Sequence, residues 1–140
     1  MSITIKQIDG ITFVAKGNSN HWVAMDANPQ TGGSGAASSP MEFLLFGLGG
    51  CTAVDVVMML NKRKKNLKNF EIQVESKRAD AHPKVYTEIH LTYKFWGEDL
   101  TEAEVKRAIE LSKTKYCSAS AMLGKTAKIT YEYRINPPDY

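Results

Sequence analysis

Apolar and polar residues alternate over the first part of the chain, a pattern that predicts short β-strands. In residues 2–27, the segments ITIKQI and ITFVAK flank Asp9 and Gly10, a dipeptide typical of a two-residue hairpin turn. A second turn, GNSN, precedes a third predicted strand, HWVAMD. Residues 28–40 are rich in Gly, Ser and Ala and have no periodicity, so they predict a loop long enough to be functional.

The middle of the chain predicts a helix that is apolar on all sides. Residues 40–60 contain two charged residues, Glu42 and Asp55, and Ser39-Pro40 supplies a typical helix start. Such a helix must be buried on most sides. It is long enough to cross a membrane, but Asp55 and the alternating strands elsewhere argue against that interpretation. Because a chain of 140 residues cannot easily cover this helix, we expect an obligate homodimer.

The second half of the chain predicts two long strands, two helices and a final strand. Alternation over 69–76 and 85–95 predicts the two strands, each with one packed and one solvated face. Thr101 and Glu104 form a capping box at the start of the next helix, and CSASAMLG and AKITYEYRI follow as a short helix and a strand. This order predicts one α+β domain over residues 1–140, with mostly antiparallel sheets packed on the long helix.

Charge and composition narrow the classes of partner. The net charge is +3, and five positive charges lie in NKRKKNLK at 61–68, where the long helix should end. Cations are favoured at a helix C-terminus, so this segment does not indicate a nucleic-acid-binding face. No secretory signal is visible, and two distant cysteines do not make a secreted disulfide scaffold. We expect a cytoplasmic protein that binds neither nucleic acid nor membrane.

The two cysteines, Cys51 and Cys117, carry the candidate chemistry. Cys51 follows GLGG, and glycine destabilises a helix by about 1 kcal/mol per residue, so another backbone or a substrate should approach closely there. Cys117 lies where a short helix begins, and a helix N-terminus lowers the pKa of a thiol. These features alone leave a redox pair and two buried structural cysteines as equal alternatives. The cysteines and the histidines show no metal-ligand spacing, so we expect no metal site.

The segments SPMEFLLFGLGGCTAVDVV and KYCSASAML resemble the two cysteine motifs of the OsmC/Ohr family, the osmotically inducible and organic hydroperoxide resistance proteins. The resemblance covers nearly the whole chain and is closest to the OsmC-like branch. It implies an OsmC-like fold, an intertwined homodimer and active sites at the subunit boundary. It also implies reduction of organic hydroperoxides by a dithiol such as a lipoyl-type thiol, with Cys51 as the peroxidatic thiol, Cys117 as the resolving thiol and no cofactor.

The chain departs from the family at the residues that activate the thiol. Attack on a peroxide needs a thiolate, so a cation or hydrogen-bond donor is expected beside Cys51. Family members resemble one another in an N-terminal arginine paired with a glutamate ten residues before the first cysteine. Here the first arginine is Arg63, and Glu42 lies nine residues before Cys51. We take Lys16 and Glu42 as the candidate pair, with His21 as an alternative to Lys16, although lysine lacks arginine's planar fork. Glu42 would also suit a helix start.

Three further side chains, Phe43, Phe46 and Leu48, are either core residues or walls of an apolar pocket suited to an organic peroxide. Two other functions stay open. One is a non-enzymatic module that binds a small apolar or electrophilic ligand at Cys51, and the other is a disulfide-exchange or redox-sensing protein. The separation of the two cysteines decides whether they can work together, because a disulfide needs Cα atoms within about 7 Å.

Overall fold

The computed structural model describes residues 1–138 of the chain. It contains two compact units, an N-terminal unit of Met1–Phe46 and a C-terminal unit of Gly47–Tyr140. Each unit contains a three-stranded sheet, and helices follow the first sheet and interrupt the second. The predicted α+β class is therefore confirmed, whereas a single domain over residues 1–140 stays a prediction.

The N-terminal unit is built on an antiparallel sheet of β1 (Thr4–Asp9), β2 (Thr12–Lys16) and β3 (Val23–Met25). The predicted hairpin joins β1 and β2, but Asp9 pairs with Thr12, so the turn itself is Gly10 and Ile11. Gly10 has φ of +51°, in the left-handed region that glycine adopts at little cost. The turn residue Gly10 was thus identified correctly, and a bulge near the end of β1 moves the turn by one position.

The loop after β3 is organised by the carboxylate of Asp26, which is 1% exposed. Its oxygens accept hydrogen bonds from the backbone N–H groups of Ala27, Ser34 and Ala36 at 2.7, 3.2 and 3.0 Å, and from the Ser34 hydroxyl. These donors, the Ser34 hydroxyl foremost, lower the pKa of Asp26 to about 2. The predicted loop is present, and a buried anion fixes its shape.

Helix α1 (Pro40–Lys62) starts with a capping box, as the proline position predicts. The Glu42 carboxylate accepts hydrogen bonds from the N–H and hydroxyl of Ser39 at 2.7 and 2.8 Å. The helix then buries a single row at four-residue spacing, namely Leu48, Thr52, Val56 and Leu60. Only 22% of its most apolar stretch is buried within this chain, although its length and hydropathy would suffice to cross a membrane. One chain therefore leaves most of the apolar surface of α1 uncovered.

The C-terminal sheet has the order β4 (Asn66–Arg78), β5 (Tyr86–Glu98) and β6 (Lys128–Ile135). The β4–β5 pair is antiparallel, but β5 and β6 are parallel, because helices connect them. The prediction that one face of β5 is solvated holds only at the start of the strand, where Glu88 is exposed, and is wrong further along. Thr92 and Lys94 on that face are 8% and 7% exposed, since β5 is the central strand with a neighbour on both sides.

The basic segment 61–68 closes α1 and enters β4, as predicted. Lys65 Nζ lies 3.0 Å from a carboxylate oxygen of Glu104, and Lys68 Nζ lies 2.5 Å from one of Glu98. These ion pairs connect the segment to elements of its own unit. A structural role thus accounts for part of its charge, and the absence of nucleic-acid binding stays a prediction.

The connection between β5 and β6 contains three helical pieces. Helix α2 (Glu102–Leu111) begins at the predicted Thr101 cap, whose hydroxyl accepts a hydrogen bond from the N–H of Glu104 at 3.3 Å. It continues as a π-helical turn (Ser112–Tyr116), which the sequence pattern did not indicate. Helix α3 (Ser118–Leu123) follows, with Cys117 as its N-cap. A π-turn is wider than an α-helical turn and is often found at functional sites.

Candidate active site

Two cysteines and one aspartate come together in the C-terminal unit. Sγ of Cys51, Sγ of Cys117 and a carboxylate oxygen of Asp55 all lie within 4.8 Å of one another. Cys51 and Asp55 are four residues apart on α1, so their side chains share a helix face. Both cysteines are free thiols. The predicted meeting of two cysteines 66 positions apart in the sequence is confirmed. We call Cys51, Asp55 and Cys117 the dithiol cluster.

Cys117 is the buried member of the cluster, with 3% of its surface exposed. Its sulfur accepts a hydrogen bond from the N–H of Ser120 at 3.3 Å, as expected at a helix N-terminus. Burial nevertheless raises the pKa of the Cys117 thiol above its ordinary value, and the neighbouring Cys51 thiol raises it further. The predicted lowering of this pKa is wrong, because desolvation outweighs the hydrogen bonds from Ser120.

Cys51 is the more accessible member and lies beside open space. Apart from adjacent residues and the nearby backbone of its own helix, a Cβ atom added at Gly47 or Gly50 would meet no atom of the described residues within 4 Å. At Gly49 it would make an ordinary contact of 3.5 Å with Val74 of β4. The predicted close approach of another backbone is therefore wrong within this chain. The glycines leave room for a substrate or a second chain next to the thiol.

Buried hydroxyl groups connect the central strand to the carboxylate of the cluster. The oxygen pairs Tyr93–Thr52, Thr52–Ser112 and Ser112–Asp55 are each 2.9 Å apart. The carboxylate only accepts, so Ser112 donates its single proton to Asp55, Thr52 donates to Ser112 and Tyr93 donates to Thr52. Burial raises the pKa of Tyr93 to about 12, which keeps this first donor protonated. The chain of hydroxyls holds the Asp55 side chain in one orientation.

A cavity of about 350 Å³ has Asp55 of the dithiol cluster in its lining, whereas neither cysteine is among its lining residues. The apolar lining comes from the C-terminal half of α1 and from α2, namely Met58, Met59, Leu60, Ala108 and Leu111. Lys62, Arg63 and Arg107 add positive charge to the same cavity, and Glu104 adds a carboxylate. Leu48, one of the predicted pocket walls, lies instead in the core with 0% exposure.

The other two predicted site residues, Lys16 and Glu42, belong to the N-terminal unit. Lys16 Nζ donates a hydrogen bond to Asn20 Oδ1 at 2.9 Å and lies 4.9 Å from the ring centroid of Trp22. Glu42 is engaged in the capping box with Ser39, whose backbone and side-chain donors lower the pKa of Glu42. The helix start is thus an observed role of Glu42, and a role of either residue at the thiols stays a prediction.

Sequence reasoning missed Asp55, Thr52, Ser112 and Tyr93 as site residues. A signal for Asp55 was present, since it is a lone charge four residues after Cys51 in an apolar helix. Thr52 and Tyr93 gave no signal, because a threonine in a helix and a tyrosine in a strand are ordinary core residues.

Comparison with known proteins identifies the family. Residues 32–132 match the family model described as OsmC-like protein. The chain is 38% identical to protein YhfA of Escherichia coli strain K12 over 135 residues, which cover 96% of this chain and 98% of YhfA. The crystal structure of a hypothetical protein from Aquifex aeolicus VF5 has a TM-score of 0.81 at 30% identity, over 97% of each chain.

More distant structures share the fold. The crystal structure of the organic hydroperoxide resistance protein OsmC from Legionella pneumophila has a TM-score of 0.68 at 13% identity, covering 95% of this chain and 96% of that one. The predicted resemblance is thus confirmed by sequence and by fold together. The chain belongs to the family of OsmC-like proteins.

Proposed function

We propose that the protein is a cysteine-dependent peroxidase that reduces organic hydroperoxides with electrons from a small dithiol. The approach of two sulfur atoms to within 4.8 Å, from positions far apart in the sequence, carries this proposal. The fold that this chain shares with an organic hydroperoxide resistance protein also supports the proposal. No metal or organic cofactor is required by this chemistry.

The reaction has three steps that balance without an external catalyst. The Cys51 thiolate attacks one peroxide oxygen, the O–O bond breaks, and the alkoxide leaves and takes up a proton as an alcohol. Cys51 is then a sulfenic acid, which the Cys117 thiol attacks to form a disulfide and release water. An external dithiol reduces this disulfide by exchange and is itself oxidised to a disulfide.

The difference in accessibility between the two cysteines supports the proposed roles. Cys51 is half-buried and lies beside the open space at Gly47 and Gly50, where a peroxide has access. Cys117 is buried, and its raised pKa keeps it largely as a thiol at neutral pH. A buried thiol beside the sulfenic acid is suited to resolve it, because the nearby partner replaces a bimolecular reaction by an intramolecular one. Cys51 is therefore the peroxidatic residue and Cys117 the resolving residue of the proposed enzyme.

The cavity favours an organic peroxide as the substrate. Methionine and leucine side chains line the cavity beside Asp55, and its volume of about 350 Å³ suits a small organic molecule. Hydrogen peroxide would gain little from such walls, whereas an alkyl hydroperoxide would bury its apolar part there. The same cavity also supports the second candidate function, a module that binds a small apolar ligand without turning it over.

A homodimer is part of the proposed active protein. Exposed apolar residues of α1, such as Val54 and Met58 at 59% and 53% exposure, favour a second copy as the cover for this helix. We also propose that the protein is cytoplasmic, where the thiols are kept reduced. Sedimentation analysis tests the assembly, and a monomer at micromolar concentration would contradict it.

Turnover of tert-butyl hydroperoxide with dithiothreitol or dihydrolipoamide tests the function. We expect Cys51→Ser to abolish turnover and Cys117→Ser to leave a sulfenic acid on Cys51 that dimedone traps. His90→Asn is the control and should keep wild-type turnover. It changes a residue of β5 whose side chain is hydrogen-bonded to Thr130. No peroxide consumption at any dithiol concentration, with both thiols titratable, would overturn the proposal. Ligand-induced stabilisation without turnover would then favour the binding module, and selective reaction with protein disulfides would favour a redox sensor.

Lys16 and Glu42 stay the proposed pair that activates Cys51. Their neutral variants Lys16→Met and Glu42→Gln should lower kcat/KM by about 10–100-fold, a typical range for groups that stabilise charge at a reacting atom. Lys6→Met provides the matched control, because Lys6 also lies near the Trp22 ring, at 5.6 Å. If all three variants have wild-type kcat/KM, Glu42 serves only the helix start and the thiol is activated by other groups.

A further inference from the structure

Asp55 has no part in the peroxidase reaction, yet it completes a set of three metal-binding side chains. Its carboxylate oxygen and the two cysteine sulfurs lie within 4.8 Å of one another. A zinc ion with Zn–S bonds of about 2.3 Å and Zn–O bonds of about 2.0–2.2 Å holds tetrahedral ligands roughly 3.5–4 Å apart. The three donors therefore need only small side-chain movements to meet such an ion.

The chemistry of the donors selects the class of metal. Two thiolates favour soft or borderline ions such as Zn²⁺ over Mg²⁺ and Ca²⁺, which prefer oxygen ligands. Three protein ligands leave a fourth tetrahedral position for water or another small ligand. We propose, contrary to the expectation from residue spacing in the sequence, that the reduced dithiol cluster binds a single Zn²⁺ ion through Cys51 Sγ, Cys117 Sγ and one carboxylate oxygen of Asp55.

Neighbouring hydrogen bonds already orient two of the three ligands. The Ser112 hydroxyl donates to Oδ2 of Asp55 at 2.9 Å and is itself held by Thr52, which leaves Oδ1 available to a metal ion. The N–H of Ser120 donates to Cys117 Sγ at 3.3 Å. Metal ligands in proteins are commonly held by such outer partners, which fix their direction and tune their basicity. Ser112 and Ser120 are both buried, so these interactions are shielded from water.

A bound cation would supply the positive charge that three anionic ligands need. Two thiolates beside a carboxylate would repel one another at this distance unless a metal ion lay between them. On binding, the two S–H bonds break, two Zn–S bonds form and two protons pass to the buffer, with no change of oxidation state. The same sulfurs cannot bind Zn²⁺ and form a disulfide together. Zn²⁺ and organic peroxides thus compete for the reduced protein, and oxidation releases the ion.

Metal titration of the full-length reduced protein tests this site without any peroxide present. Co²⁺ alone serves as the optical probe, because thiolate ligands give it intense sulfur-to-metal charge-transfer absorption, and Zn²⁺ then displaces it. We expect stoichiometric binding and loss of that absorption when the protein is first oxidised to the disulfide. Absence of the charge-transfer band, or equal Zn²⁺ binding by the oxidised protein, would overturn the proposal.

Substitutions distinguish the three proposed metal ligands from the residues that hydrogen-bond to them. Cys51→Ser, Cys117→Ser and Asp55→Asn should each weaken Zn²⁺ binding by more than about 100-fold, and Ser112→Ala by about 10–100-fold, as for outer partners generally. Asp80→Asn, in the exposed turn between β4 and β5, is the matched control and should bind as the wild type. Cys51→Ala and Cys117→Ala repeat the test if a serine variant unfolds. Wild-type affinity in the Asp55 variant or in a cysteine variant would disprove the three-ligand site.

The proposed metal site and the proposed peroxidase activity can be disproved independently of each other. Peroxide turnover is measured in the presence of a chelator, whereas metal binding is measured on protein that never meets peroxide. A protein that binds Zn²⁺ without reducing peroxides loses only the proposed function. A protein that reduces peroxides but gives no thiolate–Co²⁺ absorption loses only the metal site. If both are present, added Zn²⁺ should inhibit turnover, and excess chelator should restore it.

Discussion

Asp26 in the N-terminal unit and Asp55 in the C-terminal unit are both carboxylates held by neighbouring groups, but their partners differ in kind. Asp26 accepts hydrogen bonds from three backbone N–H groups and a serine hydroxyl of its own loop. Asp55 accepts one from Ser112 and otherwise lies against two thiols. Partners that only donate make the first anion a structural element. Two thiols as neighbours place the second anion in the candidate active site.

Removing the more accessible thiol, Cys51, should give the largest effect and should separate chemistry from stability. Cys51→Ser is expected to reduce peroxide turnover by more than about 1,000-fold, because the nucleophile itself is lost. The same change should move Tm by only about 2 °C, since it replaces a half-buried sulfur by an oxygen of similar size. Steady-state kinetics and thermal unfolding check the two expectations. A Tm loss comparable to that of a core substitution would mean that the dithiol cluster is mainly structural.

Breaking the hydroxyl chain should have the next largest effect. Thr52→Val keeps the shape of the side chain but removes the acceptor of the buried Tyr93 hydroxyl and the donor to Ser112, which costs about 1–3 kcal/mol of unfolding free energy. Thr52→Ser keeps the hydroxyl and serves as the control. Denaturant unfolding of both variants provides the measurement. Equal stability of the valine and serine variants would show that the chain of hydroxyls contributes nothing to folding.

Replacing the buried loop anion should give a smaller effect on stability and none on turnover. Asp26→Asn should lower Tm by a few degrees at pH 7, because the N–H groups of the loop then face a neutral acceptor. Reduced peroxide turnover at a temperature where the variant is fully folded would contradict the contrast between the two carboxylates.

The smallest and most specific effect should be a change, at acidic pH, in the Tm difference between the wild type and Asp26→Asn. Since the folded protein holds the pKa of Asp26 at about 2, the ionised carboxylate stabilises the fold above pH 4, and this contribution is lost as pH falls towards 2. The Tm difference between wild type and Asp26→Asn should therefore shrink over that range. A difference independent of pH would mean that the charge of Asp26 is not what holds the loop.

Local signals in the sequence predicted most elements of the fold. Thr101 and the Ser39-Pro40 step marked two helix starts, and the glycine at position 10 marked the first hairpin, because capping and turn chemistry depend on neighbouring residues. The sequence did not indicate that β5 is central, which depends on pairing with the distant β6. Burial of Lys94 on its presumed wet face follows from that pairing.

The candidate site was predictable only in part for the same reason. The motifs around Cys51 and Cys117 indicated a pair, and the sulfurs do lie together. The pKa of Cys117 was predicted in the wrong direction, because helix capping is a local property and burial is not. Ser112 and Thr52 are hydrogen-bonded to each other although 60 positions separate them in the sequence, and no pattern within one helix reveals such a contact.

The π-helical turn at Ser112–Tyr116 affects the direction in which the sulfur of Cys117 points. It is closed by a hydrogen bond of 2.8 Å from the N–H of Cys117 to the carbonyl of Ser112, five residues earlier. In a regular α-helix these two side chains would diverge by about 140°, since each residue advances by about 100°. If the same residues relaxed to a regular α-helix, position 117 would turn away from Ser112 and would be expected to turn away from Cys51 as well. The encounter of the two sulfurs thus depends on the width of one helical turn and not on the cysteines alone.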